Sequence, residues 1–233
     1  MPEGLIRATA RAVTAGGQVV PAPVELVDAL VAFESRYGGL VYPMITGNGM
    51  EYGLDGEATG YETEYGWAFA GIVDGDWTWA VDVLVDGRTA MAPGKASYRV
   101  IDRSVDQRLE KHALLADVRY WPHQSLTVTT DPGALPTIAT EHLPVAVKEA
   151  TGPADMWWRG DGRAVHISLE NWWAERDAWT VRCFTRRLDE LPTASAAVRS
   201  AVRGNPISFG TWCDLCLQHR PPEQFCSPAS NRQ

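Results

Sequence analysis

Two runs of β-formers, Tyr65 to Val73 and Trp77 to Val85, are separated by Asp74-Gly75-Asp76, a turn signal between strands. In the second run Trp77, Trp79, Val81, Val83 and Val85 fall on one face. Thr78, Ala80, Asp82, Leu84 and Asp86 fall on the other. Asp86-Gly87 makes a further turn, and Arg88 to Met91 continues as a short strand. This spacing predicts a meander with one apolar face, and it excludes a purely helical chain.

Helices flank the meander. Residues 4–15 read as a short helix stopped by Gly16-Gly17, and Val19 to Pro23 as an extended entry because its prolines exclude a helix interior. Val24 to Tyr37 is a helix with Val24, Val27, Leu30 and Val31 on its apolar side and Gly38-Gly39 as a left-handed stop. Ser104-Val105-Asp106-Gln107 has the form of a capping box, opening a helix to about Val118 that Tyr120-Trp121-Pro122 ends. Beyond it, Leu126 to Thr130, Met156 to Arg159, Arg163 to Leu169 and Trp179 to Phe184 read as strands, with Leu143 to Ala150 and Ala194 to Arg203 as helices. Strands in consecutive runs with helices gathered between them give an α+β fold: a mixed, mainly antiparallel sheet flanked by helices, with a β-rich C-terminal extension. The expected division is 1–120, a Trp-rich part 121–210, and a Cys-containing tail 211–233.

Charge is distributed unevenly. The net charge is -8 over 233 residues. From Tyr37 to Gly87 there is no Lys or Arg, while Glu51, Asp55, Glu57, Glu62, Glu64, Asp74, Asp76, Asp82 and Asp86 all fall there. A field of one sign steers a basic partner and raises its association rate; the same acids also serve as ordinary solvating groups at turns and strand edges. Acidity at this level argues against binding to nucleic acid or an anionic membrane. No apolar run is long enough to span a bilayer. The start, Met1-Pro2-Glu3-Gly4, lacks the features of an export signal, and with four cysteines the chain reads as a cytoplasmic protein.

Catalytic signatures are sparse. There is no G-x-S-x-G elbow and no H-E-x-x-H helix. His166, between Asp161 and Glu170, has the makings of a base beside a carboxylate. On a strand, though, it points away from Val165, Ile167 and Leu169, so a solvent-facing side chain is expected. The adjacent tryptophans of Trp157-Trp158 and Trp172-Trp173 must point to opposite faces of a strand, one to the core and one to an interface or pocket wall. In the tail, Cys213, Cys216, His219 and Cys226 are four soft ligands at short spacing, suited either to a structural zinc or to ordinary reduced thiols; no other cofactor is indicated.

The segment Leu30-Val31-Ala32-Phe33-Glu34-Ser35-Arg36-Tyr37-Gly38-Gly39-Leu40, followed by Pro43, resembles the opening motif of the SUKH superfamily, in which an aromatic-bearing helix ends in Gly-Gly near a proline. Val83-Leu84-Val85-Asp86-Gly87-Arg88 is similar to the strand-turn-strand that follows. The run from Ser104 to Leu115 is similar to the closing helix. The resemblance covers roughly residues 22–118. It implies an α+β fold without enzymatic activity, and many bacterial members are thought to be immunity proteins that neutralise a toxin, often a nuclease or deaminase. Residues 119–233 match no motif of the family.

Two functions follow as expectations, beside a third in which the chain is an intracellular scaffold whose zinc-bound tail docks another protein. The first is a non-catalytic binding protein that occludes a basic toxin, using Glu51, Asp55, Glu57, Glu62, Glu64, Asp74, Asp76 and Trp77. The second is an enzyme or small-molecule binder with a Trp-lined pocket in the second half, containing His166 or His123.

Overall fold

The computed structural model describes residues 1–43, 51–74, 81–91, 98–129, 145–169, 179–194, 196 and 207–212. The fold is α+β, with mostly antiparallel sheet. The chain divides into two compact units, Met1–Arg108 and Leu109–Gln233. No helix among the described residues is long and apolar enough to cross a membrane.

In the first unit, α1 (Glu3–Thr9) is followed by β1 (Arg11–Val13) and β2 (Val19–Pro21), which pair as a hairpin. The helix expected over residues 4–15 is therefore cut short. Gly16-Gly17 forms the hairpin turn instead, with Gly17 at φ 78°, where only glycine sits without strain. Next comes α2 (Val24–Tyr37), which stops at Gly38-Gly39 as expected; the Gly38 amide donates to Glu34 and Gly39 has φ 79°. Its buried stripe is Leu26, Leu30, Phe33 and Glu34, not the valine side read from the sequence, and Val24 is 72% exposed.

The strands β3 (Leu40–Pro43), β4 (Glu51–Leu54), β5 (Thr59–Thr63), β6 (Gly66–Asp74), β7 (Val81–Leu84), β8 (Thr89–Met91) and β9 (Arg99–Asp102) complete a nine-stranded sheet. Its principal order is β2-β1-β5-β6-β7-β8-β9, with β3 and β4 joined through β6. β1 runs parallel to β5, the one parallel pairing among the described strands. One sheet face packs on α2, where Phe33 meets Phe69 edge-on at 5.4 Å. Glycines bring the backbones close: a Cβ on Gly60 would lie 2.5 Å from Leu26 Cδ2 and 2.8 Å from the Ala68 carbonyl oxygen. The meander does not have a single apolar face. All four residues of β7 are buried, Asp82 included, because the side turned from α2 carries its own cluster of Ala68, Leu84 and Ala90 with Tyr61, Tyr98 and Val100.

Helix α3 (Val105–Val118) begins with the expected cap. Ser104 Oγ accepts from the Gln107 amide, and Gln107 Oε1 accepts from the amide of Arg103, one residue earlier than in the standard box. The division between the units falls within this helix. In the second unit, β10 (His123–Thr129), β11 (Val145–Ala146), β12 (Asp155–Arg159), β13 (Arg163–Leu169), β14 (Trp179–Thr185) and β15 (Ile207–Trp212) form an antiparallel sheet in the order β11-β12-β13-β14-β10-β15. The described part of the helix expected over 143–150 is instead the edge strand β11 and a turn. Val145 and Ala146 pair with Arg159 and Trp158, so the backbone bonds run across to β12.

Both faces of this second sheet are covered. Val165, Ile167, Trp179, Val181 and Cys183 make one core. Trp157, Ala164 and Phe184 make another with Trp121, Ala150 and Val118 of α3. Trp157 is fully buried and Trp158 partly so, the split expected of neighbours on a strand.

Candidate functional site

The acids of the first unit are strung along β6 rather than gathered. β4 and β5 both pair with β6, Tyr52 opposite Asp74 and Thr63 opposite Gly66. Glu51 and Asp74 therefore belong to one end of β6, and Glu62 and Glu64 to the other, about 26 Å away over eight strand steps. Asp55 and Glu57 lie between, their amides donating to the carbonyls of Gly71 and Ala70. Asp55, Glu57, Glu62 and Glu64 are all exposed, and Glu62 also accepts from the Ala15 amide. Asp86 is exposed and paired with Arg88 at 2.7 Å. Asp76 and Trp77 lie outside the described residues, as do Cys213, Cys216, His219 and Cys226. Among the described residues no group of three or more His, Cys, Asp or Glu is placed to hold a metal ion.

One acid of the run behaves differently. Asp82 is 8% exposed and stands on the sheet face turned from α2, between Ala70 of β6 and Ala90 of β8. Burial pushes its carboxyl pKa up. The hydroxyls of Tyr61 and Tyr98 approach the carboxylate and favour its ionised form, while Glu57 opposes it. Both phenols are in turn held well above the ordinary tyrosine range, by burial and then by Asp82. The Tyr98 hydroxyl is buried without a well-formed hydrogen bond. Tyr65 packs with its ring centroid 6.0 Å from that of Tyr98, and the Arg88 guanidinium lies 5.6 Å from the centroid of the Tyr65 ring. Alternation placed Asp82 on the second strand face but gave no sign that this face is buried.

The second unit holds a buried ionic cluster that spacing did not reveal. Asp155 of β12 accepts from Lys111 Nζ of α3 at 2.6 Å and contacts His166 Nε2 of β13 at 2.8 Å. The His166 ring stacks on Trp157, centroids 4.0 Å apart. His166 is 2% exposed, so the expected solvent-facing histidine is overturned: the face opposite Val165 and Ile167 is covered as well. Its carboxylate partner is Asp155, not Asp161 or Glu170. Burial alone would raise the Asp155 pKa, but Lys111 and His166 more than offset this and hold it well below the usual carboxylate range. Burial lowers the His166 pKa; Asp155 opposes that, and Arg182 and Lys111 add to it. The cluster is thus an ammonium, a carboxylate and a neutral imidazole.

This arrangement has the base-and-orienter form of a catalytic pair, yet a general base must reach the proton it removes. A ring packed under Trp157 and closed from solvent does not. Cys183, buried and with its thiol pushed up to about 12 by burial, is no better placed as a nucleophile. No family model, curated protein or solved structure matches the chain.

Proposed function

We propose that the protein is a non-catalytic binding module of the immunity-protein kind, occluding a basic, nuclease-like protein toxin. The supporting observation is the side-chain exposure of Asp55, Glu57, Glu62 and Glu64 within a stretch, Tyr37 to Gly87, that contains no Lys or Arg. Such a surface attracts a positively charged partner over distances near the Debye length, about 8 Å at physiological salt. The SUKH resemblance over roughly residues 22–118 points the same way. On this reading the compartment is the cytoplasm. A Trp-lined enzyme pocket draws no support from His166, which is closed to solvent.

The test is capture of basic proteins from a bacterial lysate on immobilised protein at low salt, compared with the Asp55→Lys/Glu57→Lys/Glu64→Lys variant. The expected result is a basic partner whose association slows at least tenfold on the variant, with its salt dependence lost. A partner held equally by both proteins at every salt concentration refutes the electrostatic reading.

A further inference from the structure

The Asp82 cluster goes further than the exposed acids. It is nearly closed off, yet Asp82 has no ion-pair partner among the described residues. A buried carboxylate without a counter-ion is costly, and proteins ordinarily pair it. Its neighbours across the sheet, Ala70 and Ala90, carry only methyl groups. The room above them is taken by Tyr61 and Tyr98, both half-buried and packed on the Ala68, Leu84 and Ala90 cluster of the face that carries Asp82. The Tyr98 hydroxyl lacks a well-formed bond. Glu57, exposed beside the cluster, adds a second negative charge. The nearby cation, Arg88, is engaged by Asp86 at 2.7 Å and by the Tyr65 ring.

Three properties of the cluster choose the occupant. The carboxylate needs a positive charge; the phenolic oxygens have lone pairs for N–H donors; and the half-exposed rings offer π-surface. A guanidinium satisfies all three, because its planar fork meets a carboxylate in two bonds while its face lies on aromatic carbon, and it sheds water more readily than an ammonium does.

We propose that Asp82, with Tyr61 and Tyr98, is a receptor for the guanidinium of an arginine side chain on the protein partner. This rests on the binding function proposed above and names the anchor within it. Aromatic residues around one desolvated charge are a usual composition for the few positions that carry an interface's affinity.

The probe is N-acetyl-arginine methylamide, titrated while the Tyr61 and Tyr98 ring signals are followed by NMR; the uncharged isostere N-acetyl-citrulline methylamide is the control. A saturable shift with the arginine compound, at least tenfold weaker for citrulline and for Asp82→Asn, is expected. Tyr98→Phe, which keeps the ring and removes the oxygen, should weaken binding about threefold to tenfold and guards against loss of fold in Asp82→Asn. Equal shifts with both compounds, no shift at 100 mM (roughly the limit below which a single anchored side chain binds), or unchanged binding in both variants overturns the proposal. The two readings separate on the captured partner: if Asp55→Lys/Glu57→Lys/Glu64→Lys loses it while Asp82→Asn holds it as tightly as the parent, the acidic surface stands and the arginine receptor falls.

Discussion

Replacing Lys111 with methionine should reverse the way the protein responds to pH. In the parent, Lys111 neutralises Asp155 at 2.6 Å and His166 stays uncharged. The His166 pKa is lowered on folding from an unfolded value of about 6.5. The unfolded chain therefore binds a proton that the folded one refuses, and stability is lost as pH falls below about 6.5, by at most about 1.4 kcal/mol per pH unit. Lys111→Met leaves Asp155 buried with His166 as its one remaining hydrogen-bonding partner of the pair. Removing one member of a buried ion pair costs about 3–5 kcal/mol, or roughly 6–20 °C in melting temperature for a chain of this size. His166 now gains by becoming the counter-ion. The positive group that opposes this on β14 is Arg182, and a direct carboxylate contact at 2.8 Å outweighs it. With its folded pKa raised, the variant's stability is fully present below about 6.5 and is lost as pH rises. Thermal melts of parent and variant from pH 5 to 8 should converge toward the acid end. A melting-temperature gap that stays constant over that range would show that His166 does not exchange roles, and the assignment of charges in the cluster would be wrong.

Further outcomes are open to simple measurement. Asp82→Asn should raise stability at pH 7 by about 0.5–2 kcal/mol, the gain usual when a site kept for binding is relaxed; burial disfavours the ionised carboxylate, so the difference should vanish as pH falls toward 4, and denaturant titrations at the two pH values read it directly. Gly60→Ala should cost about 1–3 kcal/mol by overpacking, since the added methyl meets the fully buried Leu26 side chain and the Ala68 backbone oxygen; an unchanged denaturation midpoint would mean that α2 is free to shift. Ser104→Ala should cost about 0.5–2 kcal/mol through loss of the bond from the Gln107 amide, measured the same way.

Local chemistry was read well where local rules govern. The cap at Ser104, the stop at Gly38-Gly39 and the strands expected over Met156 to Arg159 and Arg163 to Leu169 each depend on nearby residues, and the structure has them where spacing puts them. Layering was not legible. Alternation put His166 and Asp82 opposite their apolar neighbours, but it carries no information on whether a second layer covers that side, and both are buried. Leu143 to Ala150 reads as a helix, yet Val145 and Ala146 pair with a strand that begins ten residues later. Asp155 meets Lys111 across 44 residues and His166 across 11, separations at which spacing says nothing. The acidic stretch was plain in the sequence; which of its members face water, and which one is shut in with tyrosines, depended on the sheet.

Helix α3 carries a consequence for any attempt to dissect the protein. Its cap, Ser104 with Gln107, belongs to Met1–Arg108, whereas Lys111, the third residue of Leu109–Gln233, neutralises Asp155 of that same part. A cut between Arg108 and Leu109 would leave one fragment with a helix start and no helix, and the other with an unprotected first turn around the very ammonium its core requires. The halves are therefore not interchangeable modules. A protease acting there would damage both, because Asp106 and Arg108 of the same helix are bonded to Arg36, Tyr37 and Asp102 of Met1–Arg108.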